Sequence, residues 1–84
     1  MTRTVAEVVE EFIAAKRANG LSQTYIDDAK WRLRRFAADF QTDINHVCTR
    51  EIEQWLLARS TGATTRNNFR RHIITLFNFA RRRG

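Results

Sequence analysis

Residues 62–84 hold the side chains with the most chemistry to offer. Six of them are arginines and none is acidic. Asn67, Arg71, Thr75, Asn78 and Arg82 recur every three or four residues, so a helix carries them on one face. Arg66, Arg70 and Arg81 flank that face. Guanidiniums fork onto phosphate or guanine, carboxamides pair with adenine, and threonine reaches a phosphate or a thymine methyl. Such a face has the makings of a polyanion surface. The charge is also segregated. Residues 1–61 carry nine basic and nine acidic side chains, so the whole net charge of +6 belongs to the closing segment. Arginines that only kept the domain soluble would be interspersed with acids, as they are upstream. The field of this segment attracts phosphate, lipid headgroups or an acidic protein.

Other reactive residues do not assemble into a site. His46 and Cys48 are two apart and His72 is remote, whereas a zinc site needs about four ligands, usually in close pairs. These three read as ordinary loop and surface residues, and neither a metal nor a cofactor is expected. Asp27 and Asp28 are adjacent and point about 100° apart on a helix, a poor acid/base dyad. There is no glycine-rich phosphate loop. The single cysteine excludes an intrachain disulfide and fits a reducing cytoplasm. The N-terminus is acidic where a signal peptide is apolar. No apolar run approaches the roughly 20 residues of a membrane span.

Four helices are predicted to position these residues within one domain, 1–84. The first covers about 5–19, opened by a Thr4–Glu7 capping box and closed by Gly20. Its stripe is Val5, Val8, Val9, Phe12 and Ile13, with Lys16 closing it through its aliphatic stem. The second starts after an N-cap at Ser22 and ends near Phe40, with Ile26, Ala29, Leu33, Phe36, Ala37 and Phe40 on one face. Trp31 falls opposite that face, near Thr24 and Arg35. In the link 41–48, Ile44 and Val47 are expected to tuck into the core. Thr49 is expected to cap the third helix, whose apolar face is Ile52, Trp55 and Leu56, and "RSTGAT" breaks it. The fourth begins near Thr64 or Thr65, with Phe69, Ile73, Leu76, Phe77 and Ala80 inward.

Taken together, "TVAEVVEEFIAAKRANGLSQTYI", "LRRF", "DINHVCTREIEQWL" and "TTRNNFRRHIITLFNFARRRG" resemble, in order and spacing, the SAM-like core-binding domain of tyrosine recombinases, the phage-integrase family. The last block carries the family's tendency to a Thr, an Asn two on, an aromatic pair, an Ala and a Gly. Here these are Thr65, Asn67, Leu76 with Phe77, Ala80 and Gly84. The resemblance implies an all-α, compact four-helix orthogonal bundle that clamps one side of double-stranded DNA. It also implies a separate C-terminal catalytic domain, absent from this chain, that carries the nucleophilic tyrosine, so this domain alone is not an enzyme. That catalytic domain and neighbouring recombinase protomers are the implied protein partners. Family members turn their second and fourth helices toward the major groove. The implied contacts are Thr64, Thr65, Arg66, Asn67, Arg70, Arg71 and Thr75 on the fourth helix. On the second they are Ser22, Gln23, Thr24, Lys30 and Arg35. Asp27 and Asp28 depart from the family, which often has basic residues there.

A helical protein-interaction module without DNA binding is the rival reading, and it would expose an apolar patch around Trp31 and Phe79. A helix-turn-helix needs a shorter turn than the nine residues from Gln41 to Thr49.

Overall fold

The computed structural model describes residues 3–59 and 62–83, without the Arg83 side chain. Among them are four α-helices: α1 (Val5–Ala18), α2 (Gln23–Asp39), α3 (Thr49–Arg59) and α4 (Ala63–Arg83), with a short 3-10 turn at Ile44–His46 between α2 and α3. The expected all-α bundle is what the chain forms.

Local chemistry sets the first boundaries. The Thr4 hydroxyl accepts from the Glu7 N–H at 3.2 Å, and the Thr4 N–H donates to the Glu7 carboxylate at 2.9 Å. Both ends of the capping box therefore use backbone donors that the helix leaves unpaired. At the other end Gly20 adopts φ +76°, a left-handed conformation. Its N–H donates to the Arg17 carbonyl, and the Leu21 N–H donates to that of Lys16. This crossed pair of bonds satisfies two orphan carbonyls and turns the chain toward α2. Ser22 then caps α2, accepting from the Tyr25 N–H at 3.2 Å.

The cap of α3 differs from expectation. Thr49 is already helical, and Cys48 holds the capping position. Its carbonyl accepts the Ile52 N–H, and its N–H donates to the Glu51 carboxylate at 3.1 Å. The glutamate three positions on supplies the reciprocal bond, so no hydroxyl is needed at the cap itself. α4 starts one or two residues before the expected Thr64 or Thr65, with the Arg66 N–H bonded to the Gly62 carbonyl. Ser60 and Thr61, in the predicted break, and Gly84 lie outside the described residues.

The predicted apolar stripes meet in one core. From α1 it takes Val5, Val8, Val9, Phe12 and Ile13, and from α2 Ile26, Ala29, Leu33, Phe36 and Ala37. Ile44, Leu56, Phe69, Ile73 and Leu76 complete it, with Val47, Ile52, Trp55, Phe77 and Ala80 packed around. The entry to α1 is clipped to the α2–α3 link. Val5 N–H donates to the Thr42 carbonyl and Ile44 N–H to that of Arg3, at 3.0 and 2.9 Å. These bonds pull Ile44 under the bundle, as its apolar character required. The radius of gyration, 12.4 Å, is close to the roughly 12 Å of a packed chain of this length.

Candidate nucleic-acid interface

α4 has three surroundings at once. Its inner face is core. One flank meets α2, where the Tyr25 and His72 rings sit 5.7 Å apart and His72 Nε2 lies 3.2 Å from an Asp28 oxygen. Asp28 also accepts from Arg32. The Arg32 guanidinium lies over the rings of Trp31 and Phe69, at 5.2 and 5.4 Å. His72 is therefore not a surface residue: it is 7% exposed. It sits about a quarter of a turn from the centre of the helix's inner stripe, on the side that α2 covers, and Asp28 supplies the polar partner that burial requires.

The other flank meets α3. Arg70 forks onto Glu53 with Nε at 3.1 Å and Nη2 at 2.9 Å, and its Nη1 donates to the Asn67 side-chain Oδ1 at 3.1 Å. Of the arginines flanking the strip, Arg70 has thus found a carboxylate from elsewhere in the bundle. A second flank arginine, Arg81, donates to Asn78.

The outer face remains open. Thr64, Thr65, Asn67, Arg71 and Arg82 are exposed, and Arg66 and Thr75 are half-buried. The Thr75 hydroxyl donates to the Arg71 carbonyl at 2.9 Å, which leaves its oxygen lone pairs for a further donor. Asn67 keeps its amide N–H donors after accepting from Arg70. Among the described residues no carboxylate lies within ion-pairing distance of Arg66, Arg71 or Arg82.

The reason is visible in where the acids go. Glu10, Glu11, Asp28, Asp39 and Glu53 pair with Arg34, Arg3, Arg32, Arg59 and Arg70. Glu7, Glu51 and Asp43 take backbone N–H groups, and Asp27 takes the Gln23 amide. All nine acidic side chains of the chain are thereby engaged. Several are held as firm anions. The Arg34 hydrogen bond keeps Glu10 below the usual carboxylate range. Asp39 is lowered first by the Trp55 Nε1–H, at 2.7 Å, and then by Arg59 and Arg35. The Thr4 and Cys48 N–H groups do the same for Glu7 and Glu51.

The α2 candidates are divided. Thr24 and Arg35 are exposed and, by helical spacing, share a face with Trp31. Trp31 is 57% exposed, its ring 5.7 Å from that of Phe69 on α4. Lys30 lies off that face, one turn before Arg34, which pairs with Glu10 of α1. The Ser22 hydroxyl is engaged as a cap, and Gln23 donates to Asp27 at 2.8 Å. By helical period Thr64, Asn67, Arg71 and Thr75 share the outer face of α4, with Arg66 on its flank. Thr24 and Arg35 share a face of α2 with Trp31, whose ring meets Phe69 of α4, and Lys30 lies off that face. Arg82 and Trp31 join this surface without having been among the family-implied contacts. Their four-residue spacing from Asn78 and Arg35 was the available signal. Phe79, expected to share an exposed patch with Trp31, packs edge-on against Phe12 at 5.4 Å.

Among the described residues no three His, Cys, Asp or Glu side chains converge as a metal site would require, and no helix is long and apolar enough to cross a membrane. No protein-family model, curated protein or solved structure matches the chain.

Proposed function

We propose that this domain binds double-stranded DNA through the outer face of α4, as the core-binding domain of a cytoplasmic tyrosine recombinase. Arg66, Arg71 and Arg82, with Arg35 from α2, neutralise backbone phosphates and release counterions, giving salt-sensitive affinity with little sequence preference. Asn67, Arg71 and Thr75 reach base edges in the major groove and add a modest preference. A catalytic domain of the same parent protein supplies the nucleophile and closes on the duplex from the opposite side. This domain contributes grip and register, and tethering of the two halves multiplies their separate affinities.

One observation carries the reading. The bundle engages every carboxylate it owns, yet it leaves the arginines of one helix face unopposed. The acids on α2 do not count against it, because Asp27 is bonded to Gln23 and Asp28 to Arg32 and His72. The reading is tested by fluorescence anisotropy with a labelled duplex. Replacing Arg66 and Arg71 with Glu should weaken binding at least about tenfold, since each reversed charge meets a phosphate, while helicity by circular dichroism stays unchanged. Unaltered affinity in a folded double variant would place the interface elsewhere.

A further inference from the structure

A second surface lies on the α3 side of α4. Two hollows there share Val47 and Phe77 and so form one trough. One, of about 520 Å³, runs over Ile44 and Ala80. The other, of about 230 Å³, runs over Ile52 and Ile74. Ile74 is 53% exposed although it stands on a helix with an otherwise polar outside. Along α4 the trough extends from Arg70 to Arg81, about 16 Å at the α-helical rise. That is the length of a three-turn helix.

The ends of the trough differ in charge. Glu53 at one end is already held by both arms of Arg70. At the other end stand Arg81 and Asn45, with Arg3 already held by Glu11 and no carboxylate lining that hollow. Arg81 has only the Asn78 carbonyl oxygen as its partner among the described residues. An apolar floor of this length with a cationic end selects a complementary rod, apolar along one side and acidic at one end.

We infer that this trough docks a short amphipathic helix from a protein partner, its apolar stripe seated on Val47, Ile52, Ile74 and Phe77 and its acidic end against Arg81. The inference stands apart from DNA binding and needs no nucleic acid present.

The probe is a synthetic three-turn peptide with leucines at helical spacing and glutamates at one end, compared with the same peptide carrying lysines there. Amide shifts of the intact protein should move at Val47, Ile52, Ile74 and Phe77 with the glutamate peptide. The lysine peptide should bind about tenfold more weakly, because its charges face Arg81. Arg81→Glu should narrow or reverse that preference, whereas Arg17→Glu, the same charge change out on α1, should leave it. Ile74→Asp, at a half-solvated position that folding tolerates, should cost about tenfold for the glutamate peptide. Equal binding of both peptides, shifts confined to α1 or to the Arg71 face, or no binding overturns the proposal. Displacement of the peptide by duplex DNA at the same amides, or trough signals that move on dilution of the protein alone, would assign the surface to nucleic acid or to a second copy and overturn it equally. Because these titrations contain no DNA, their failure leaves the proposed DNA face untouched.

Discussion

The ion pair between Arg70 and Glu53 makes two neighbouring arginines inequivalent, and salt dependence can read the difference. Each phosphate neutralised by a free cation contributes about −0.9 to the slope of log K against log salt. Arg66, Arg71 and Arg82 on α4 and Arg35 on α2 have no ion-pair partner among the described residues. Four such contacts give a slope of about −3.6, or about a 150-fold loss of affinity between 50 and 200 mM salt. Arg71→Ala removes one contact, so the slope should relax to about −2.7 and the loss to about 40-fold. The double change Arg70→Ala with Glu53→Gln removes two charges that already cancel, and the slope should remain near −3.6. The assay is anisotropy of a labelled duplex across that salt range. A wild-type slope shallower than about −1 would refute the electrostatic account. If the double variant flattened the slope as much as Arg71→Ala, the assignment of contacts to unpaired arginines would be wrong.

Three further outcomes follow from the packing. Glu7, Glu10, Asp39 and Glu51 are held below the usual carboxylate range, so their stabilisation is present above about pH 4 and lost as pH falls through their lowered values. The melting temperature should therefore drop on acidification below about pH 4. Asp39→Asn should blunt that drop, and a melting temperature indifferent to acid would contradict it. Phe12 is fully buried and touches Phe79 edge-on, so Phe12→Ala should cost about 3–5 kcal/mol, enough to unfold much of so small a domain in a urea titration. Asp28→Ala strips the His72 ring of its one hydrogen-bond partner among the described residues and should cost about 1–3 kcal/mol by the same measurement, whereas a neutral result would mean that His72 finds water.

Features set by neighbours in sequence were legible without coordinates. The Thr4–Glu7 box, the Ser22 cap and the left-handed Gly20 depend on residues within one turn, and each stands where spacing placed it. The stripes of all four helices were legible for the same reason, because burial follows a fixed angular period. What spacing could not give is which flank of a helix meets which neighbour. His72 looked like a surface residue until α2 was found to cover it with Tyr25 and Asp28. Arg70 looked as free as Arg71, but Glu53 lies 17 positions away and the approach of α3 to α4 decides the pairing. Lys30 was grouped with Thr24 and Arg35, yet it stands one turn before Arg34 on the side of α2 that pairs with Glu10 of α1. The cap at Cys48 was obscured by the hydroxyl of Thr49 beside it, a more familiar capping residue. The outer strip itself, Asn67 to Arg82, needed only the period of one helix and was fully visible.

The most direct measurement is amide-shift mapping of the intact domain with a short DNA duplex. The account predicts changes at Thr64, Thr65, Arg66, Asn67, Arg71 and Thr75, with weaker ones at Thr24 and Arg35. Changes confined to α1, or to the Lys30–Arg34 side of α2, would contradict it.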